Sequence, residues 1–269
     1  MSLALDAAQL DRYSRHVIMD EVGPEGQAAL LDASVLVVGC GGLGAPVIQY
    51  LAAAGVGEVT LADDDVVERS NLQRQVVHAD ADVGKPKVES ARAYVERLNP
   101  DVEVVTRETR VERENVETLV AGHDVVVDAS DNFPTRYLLN DACRLAETPL
   151  VHGAIYRFEG QATTLVPDGP CYRCLFPEAP EPGTIPDCAT TGVLGVLPGT
   201  VGAIQATEAA KLVLGLGDPL VGRLLFYDAA ETTFETAEYR SRSSCPVCGD
   251  DAIESLSEVA YTGGCAVGD

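Results

Sequence analysis

The hydrophobic pattern along the first half of the chain predicts strands and helices in turn. Ala33 and Ser34 lead into Val35-Leu36-Val37-Val38, a short apolar run that stops at a cluster of glycines, and helix formers then fill Gly44 to Ala54. That order reads as strand, turn and helix. Val59 to Leu61 repeats the strand signal, and Pro86 to Leu98 predicts a helix with proline near its first turn. Val102 to Thr106 and Asp124 to Val127 supply further strands. Strands alternating with helices imply a parallel, doubly wound sheet. Past Pro149 the pattern changes. Leu150 to Ile155 and Gln161 to Val166 are predicted strands joined by a short turn, as are Leu224 to Asp228 and Thr233 to Tyr239. The expected fold is therefore α/β: a Rossmann-like doubly wound mixed sheet, parallel in the N-terminal half and antiparallel in the C-terminal half.

The longest apolar stretch, Val193 to Leu216, is interrupted by Pro198, Gln205, Glu208 and Lys211, which excludes a membrane span. The N-terminus, MSLALDAAQLDRYSRH, has none of the three regions of a secretory signal. Phe176 to Pro186 holds four prolines and predicts an irregular loop.

Composition narrows the function. The 269 residues are enough for a sizeable core. With 42 acidic against 19 basic residues the formal net charge is −23. Such a surface repels nucleic acid and anionic membranes, so no nucleic-acid or membrane partner is expected. The basic residues include Lys85, Lys87 and Lys211 as the only lysines, and 46% of the chain is hydrophobic. The acidity therefore sits on a folded globule and points to a salt-rich cytoplasm.

Against that negative background the chemistry-bearing residues stand out. Gly39-Cys40-Gly41-Gly42-Leu43-Gly44 follows a predicted strand and opens a predicted helix, a geometry that sets backbone N–H groups and a positive helix end against a phosphate. Asp63 lies about 20 residues further on, at the end of the next strand, where a carboxylate accepts bonds from ribose hydroxyls. Without the strand, helix and acid, the glycines would read as a tight packing turn. Asp63-Asp64-Asp65 is followed by Ser70-Asn71-Leu72-Gln73-Arg74-Gln75 and Gly84-Lys85-Pro86-Lys87. Hydride transfer needs an apolar slot and gains nothing from several cations. Attack on an α-phosphate does need them, together with a carboxylate-bound Mg²⁺. The other reading of the cations is a solvated charged face. Asp128-Ala-Ser-Asp131-Asn132 closes another strand at the carboxyl edge of the sheet; Asp131 reads as a metal carboxylate, or else it or a neighbour caps the helix that begins near Phe133.

Eight cysteines in a chain of this kind suggest metal ligands or nucleophiles before disulfides. Cys171-Tyr-Arg-Cys174 and Cys245-Pro-Val-Cys248 offer four thiolates for a structural Zn²⁺, worth on the order of 10 kcal/mol to folding. A redox dithiol would leave the second pair unexplained. Cys188, past the first knuckle in Pro186-Asp187-Cys188, reads as a nucleophile on a loop; a small buried hydrophobe is the other reading and suits Cys40, Cys143 and Cys265 better. Asp187 would raise its pKa, so its activation must come from elsewhere.

Taken together in this order, Arg12-Tyr-Ser-Arg15-His, the glycine turn, Asp63-Asp-Asp65, Ser70 to Gln75, Gly84 to Lys87, Asp128 to Asn132, both CxxC pairs and Cys188 resemble the ThiF/MoeB/HesA adenylyltransferases related to ubiquitin-activating enzymes, over residues from about 12 to 248. The acidic composition resembles that of haloarchaeal members. The resemblance implies a cytoplasmic enzyme that binds ATP and Mg²⁺ and adenylates the C-terminal glycine of small ubiquitin-like or sulfur-carrier proteins ending in diglycine. It would thereby support protein conjugation and sulfur transfer for molybdopterin and tRNA thiolation. By the same resemblance Gly39, Gly41, Gly42, Gly44, Asp63 and Asp65 line the nucleotide site, Asn71, Arg74 and Lys87 hold the triphosphate, and Asp131 ligates Mg²⁺. Arg15 reaches the nucleotide site of a partner subunit in a homodimer, and Cys188 is the acceptor thiol. One adenylation domain over 1–269 is expected, with a helical segment over about 1–32 and a zinc-stapled part over about 149–250. Few residues follow Cys248, so no rhodanese domain is expected and a sulfur donor would be a separate protein. Gly263-Gly264 is followed by Cys265 and four more residues, unlike a modifier's free tail, and Lys85 has no assigned role. Two other readings stay open: an NAD-binding oxidoreductase or redox-sensing module, resting on the glycine turn and Asp63 alone, and an enzyme that adenylates a small molecule or RNA base.

Overall fold

The computed structural model describes residues 5–178 and 192–261. Cys188, Cys265 and Gly263-Gly264 lie outside the described residues, as does much of the proline-rich stretch. Eight strands form one sheet: β1 (Ser34–Val38), β2 (Glu58–Ala62), β3 (Glu103–Arg107), β4 (Val125–Asp128), β5 (Leu150–Tyr156), β6 (Glu159–Leu165), β7 (Arg223–Asp228) and β8 (Thr233–Glu238). Their spatial order is β3-β2-β1-β4-β5-β6-β7-β8. Strands β1 to β5 pair in parallel, and β6 to β8 continue the sheet antiparallel. The expected mixed sheet is present, with every predicted strand found within a residue or two of its expected position.

The parallel half follows from its connections. Helices α1 (Ala7–Arg12), α2 (Ser14–Val17) and α3 (Gly23–Asp32) precede the sheet; α4 (Gly44–Ala54) and α5 (Lys87–Leu98) then carry the chain outward from β1 through β2 to β3. Helix α6 (Val116–Val120) precedes β4, which pairs with the other side of β1, and α7 (Phe133–Leu145) leads to β5. Because the winding reverses at β1, a crevice opens between the carboxyl ends of β1 and β4, the place where open α/β sheets bind ligands.

Side chains alternate across the strands, so Val35 and Val37 join one core with Ile48, Leu51, Leu61, Val88 and Val95, while Leu36 and Val126 join the other with Leu139, Leu138 and Val116. Burial on both faces explains why β1 reads as a continuous apolar run. The longest apolar stretch of the sequence forms α9 (Leu197–Leu214). It packs on α4, β5 and β6, and its buried Gln205 donates from Nε2 to the carbonyl of Asp128 at 2.7 Å. Short α8 (Tyr172–Leu175) carries the first cysteine pair. Among the described residues no helix is long and apolar enough to cross a membrane.

Candidate active site

The crevice holds a cavity of about 310 Å³, and its wall joins residues far apart in sequence: Gly39, Gly41 and Gly42 after β1, Asp63 to Asp65 after β2, Arg110 after β3 and Ser130 to Asn132 after β4, with Arg74, Lys87 and Arg136. Val38, Ala62, Val111 and Ala129 add apolar surface. Two glycines make the turn close. Gly39 has φ +97°, and a Cβ there would lie 2.7 Å from the Ala129 carbonyl; a Cβ on Gly44 would collide with the carbonyl of Gly39. Gly44 thus serves the packing of the turn and does not line the cavity, whereas Gly41 and Gly42 do.

Asp63 is tied to that turn. Its Oδ2 accepts the N–H of Cys40 at 2.7 Å, and its Oδ1 accepts the N–H of Asp65 at 2.9 Å. Burial pushes its carboxyl up from the ordinary value, with Lys87 and the two N–H donors opposing. The Cys40 N–H is therefore committed to Asp63, and the Gly39 N–H to the carbonyl of Ala62 at 2.9 Å. His78 secures the same turn from behind: its Nε2 donates to the Cys40 carbonyl at 3.0 Å and its Nδ1 accepts from the Ser90 hydroxyl at 2.9 Å, the pattern a neutral ring requires. Burial holds His78 below its ordinary value.

Lys87 begins α5 and its side chain is only 7% exposed, with Nζ 2.6 Å from Asp65 Oδ2. Burial alone would lower its pKa, but the fields of Asp63, Asp65 and Asp131 raise it above the ordinary value, so the ammonium stays charged. Arg74 lines the opposite side and donates to the Ser70 carbonyl at 3.2 Å. Four cations, Arg74, Lys87, Arg110 and Arg136, thus meet Asp63, Asp64, Asp65 and Asp131 in a chain whose net charge is −23. The carboxylates of Asp63, Asp64 and Asp65 lie within 4.8 Å of one another. Anion-binding side chains beside exposed hard oxygens fit a nucleotide triphosphate with a divalent cation.

Not every expected residue gathers here. Asn71 is buried in a one-turn 3₁₀ helix, where its Oδ1 accepts the N–H of Glu68 at 3.1 Å, and it does not line the cavity. Its carbonyl accepts the N–H of Arg74 at 3.0 Å, so it shapes the turn that carries Arg74. Arg15, expected at a partner subunit's site and not at this one, lies exposed on α2 and does not line this cavity. Lys85 pairs with Asp82 at 2.8 Å and clips a surface turn. Asn132, not Asp131, caps α7, accepting the Thr135 N–H at 3.0 Å. Asp131 is thereby left exposed at the cavity. Arg110 and Arg136 were not foreseen. Arg136 is buried, donates to the Ser130 carbonyl at 3.3 Å and lies over the Phe133 ring at 5.0 Å.

The two CxxC pairs come together. Cys171 Sγ lies 3.5 Å from Cys245 Sγ and Cys174 Sγ lies 3.3 Å from Cys248 Sγ. All four sulfurs fall within 4.8 Å of one another. A tetrahedral Zn²⁺ with bonds near 2.3 Å sets sulfurs roughly 3.8 Å apart, so the donor set fits that ion. Each knuckle is closed by a backbone bond, Cys174 N–H to Cys171 carbonyl and Gly249 N–H to Cys245 carbonyl, both 2.9 Å. Cys40 and Cys143 are buried and burial pushes both thiols up, which makes them inert packing groups.

A Rossmann-like sheet whose switch point carries a glycine turn, a group of cations and an exposed aspartate has the form of a nucleotide-binding class. Within that class, the chain belongs to the ThiF family, whose model matches residues 13–247. It is 72% identical over 267 residues to the SAMP-activating enzyme E1 of Haloferax volcanii, covering 99% of each chain. It is 54% identical over 252 residues to the sulfur carrier protein adenylyltransferase of Thermus thermophilus, covering 91% of this chain and 93% of that one. Against adenylyltransferase and sulfurtransferase MOCS3 of Mus musculus the identity is 50% over 248 residues, 91% of this chain but only 54% of that one. Among solved structures, Escherichia coli MccB with AMPCPP and MccA superposes with TM-score 0.80 at 23% identity, covering 91% of this chain and 75% of that one. This last likeness concerns the fold.

Proposed function

We propose that this chain is an adenylyltransferase that activates the C-terminal glycine carboxylate of small ubiquitin-like or sulfur-carrier proteins at the expense of ATP. The observation that carries the reading is the arrangement of Lys87 and Arg74 with Asp131 around one cavity at the glycine turn. The similarity to a SAMP-activating enzyme and to a sulfur carrier protein adenylyltransferase supports the substrate class.

In this reading the carboxylate of the partner's last glycine attacks the α-phosphorus of ATP. A C–O–P mixed anhydride forms, the bond to the β-phosphate oxygen breaks, and pyrophosphate leaves with the electron pair. Lys87 and Arg74 stabilise charge on the phosphates, and Asp63 accepts bonds from the ribose. Asn71 acts through the turn that carries Arg74. Asp131 and the neighbouring carboxylates would hold Mg²⁺, which neutralises charge on the triphosphate. Cys171, Cys174, Cys245 and Cys248 would hold a structural Zn²⁺ that staples the part over about 149–250 to the sheet. The chain acts as one adenylation domain with its helical segment over about 1–32, and its acidic surface suits a salt-rich cytoplasm. Arg15 completes the site of a second copy in a homodimer, Cys188 accepts the activated acyl group, and a separate protein supplies any sulfur.

Intact-mass spectrometry tests this directly. Incubation with ATP, Mg²⁺ and a small protein ending in diglycine is expected to yield an AMP-capped tail and a hydroxylamine-sensitive adduct that Cys188→Ala abolishes without abolishing the AMP cap. Absence of the AMP cap at high salt would refute the reading.

A further inference from the structure

Asp128 closes β4 at the root of the loop that presents Asp131, and it is completely buried. Its Oδ1 accepts both the N–H and the hydroxyl of Ser130. Its Oδ2 accepts from His152 Nδ1 at 2.7 Å, and the two residues are directly paired in the β4–β5 register. A carboxylate offers only lone pairs, so Nδ1 carries the proton. The Asp128 carbonyl is held in turn by Gln205. The loop is thus braced at its root from β5, from α9 and from within.

His152 is itself fully buried, and among the described residues the Asp128 carboxylate is its one hydrogen-bond partner. Its Nε2 is unpartnered, as is the hydroxyl of Tyr172, whose ring meets the imidazole edge-on with centroids 4.8 Å apart. Burial holds His152 below its ordinary value. Burial opposes the Asp128 charge, but the bonds from His152 and Ser130 and the field of Arg136 hold that carboxyl below the usual range. The pair is therefore a neutral imidazole on a carboxylate. A buried polar side chain that makes a single bond, to the residue anchoring a site loop, has the form of a brace for that loop.

We propose that His152 is a positioning residue: through Asp128 it fixes residues 129–132 in the geometry that offers Asp131 to a divalent cation at the triphosphate. This rests on the reading of Asp131 given above. Without the Nδ1 donor, the Asp128 carboxylate keeps a desolvated oxygen that only a rearranged loop or a proton can satisfy. A rearrangement beyond Ala129 moves Asp131 relative to Lys87, while the bond from the Ala129 N–H to the Val38 carbonyl, 2.9 Å, keeps the strand end beside the glycine turn.

The test compares two amide replacements. His152→Asn sets an N–H donor where Nδ1 stands, whereas His152→Gln carries its donor one bond further, toward the Nε2 side. ATP binding is measured by calorimetry with Mg²⁺ and with EDTA, alongside the denaturation midpoint. His152→Asn is expected to bind ATP with Mg²⁺ as the wild type does. His152→Gln is expected to lose about tenfold in Mg²⁺-dependent affinity, the value of one bond to a charged group, and to keep its affinity for metal-free ATP. Equal behaviour of the two variants, or equal losses with Mg²⁺ and with EDTA, would overturn the proposal. Nitrogen NMR of the wild-type imidazole gives an independent check should a variant fail to fold: a proton on Nδ1 supports the brace, and a proton on Nε2 overturns it. A wild-type chain that binds ATP equally with Mg²⁺ and with EDTA would overturn the reading of Asp131 along with this proposal; a failure confined to the variants or the tautomer overturns the proposal alone.

Discussion

The N–H of Cys40 donates to the carboxylate of Asp63 at 2.7 Å, which ties the glycine turn after the first strand to the acid that closes the second. Turn and acid are one unit, so the ribose binding proposed for Asp63 and the turn geometry are expected to be lost together. Asp63→Ala is expected to weaken ATP binding at least tenfold and to cost about 1–2 kcal/mol of stability, because two backbone donors lose their acceptor. Asp63→Asn keeps one acceptor oxygen and should fall between the two. Calorimetry and urea denaturation read both effects.

Lys87 is held beside Asp65 in a desolvated wall and stays protonated well past neutrality, since its pKa lies above the ordinary value. Its charge is complete below that range and is lost only as pH rises through it. Lys87→Met is accordingly expected to lower the rate of ATP–pyrophosphate exchange by about 100-fold. The wild-type rate should show no ionisation of this residue between pH 6 and 9 (roughly the range below an ordinary lysine pKa). A pH–rate profile of both proteins checks the two statements.

The glycine turn separates packing from binding. A methyl on Gly44 would collide with the Gly39 carbonyl, whereas one on Gly41 would lie 3.5 Å from the Gln75 side chain, an ordinary contact, in the wall of the cavity. Gly44→Ala is expected to cost roughly 3 kcal/mol or more of stability, the range for a forced backbone shift. Gly41→Ala should unfold close to the wild type yet bind ATP more weakly. Thermal denaturation with and without ATP distinguishes them.

Much of this site was legible before the fold was known, for a physical reason. Gly41, Gly42, Asp63, Asp65 and Asp131 follow strand ends that the hydrophobic period marks, Lys87 opens a helix that it marks, and a parallel sheet collects such boundaries at one edge; Arg74, between them, stands out by its charge alone. Arg110 and Arg136 escaped notice because their place depends on strand order: β3 lies outermost and α7 starts beside the switch point, neither of which is written locally. Asn71 sits three residues from Arg74 yet turns back onto Glu68, whose N–H its Oδ1 accepts, and no local sequence pattern separates that capping role from one at the cavity. Helix α9 is apolar on most sides because it is enclosed by α4 and the sheet, and an enclosed helix has no amphipathic stripe to read. The His152–Asp128 pair needed the β4–β5 register to appear at all.

Three of the four histidines, His78, His123 and His152, are held below their ordinary value chiefly by burial. The unfolded chain therefore takes up protons near pH 6.5 that the native state refuses, and stability falls as pH drops through that value. Lowering the pH from about 7.5 to 5.5 is expected to move the urea midpoint downward well before ordinary carboxylates titrate. A variant His123→Gln, remote from the cavity, should flatten part of that slope. Midpoints at four or five pH values suffice to measure it.

Whether this chain activates the C-terminal carboxylate of another protein is decided by ATP–pyrophosphate exchange at high salt, measured with and without a small protein ending in diglycine, in the wild type and in Asp131→Ala. Exchange is expected only when that partner is present, with a loss of about 100-fold in the variant. Exchange that proceeds without the partner, or that Asp131→Ala leaves unchanged, would contradict it.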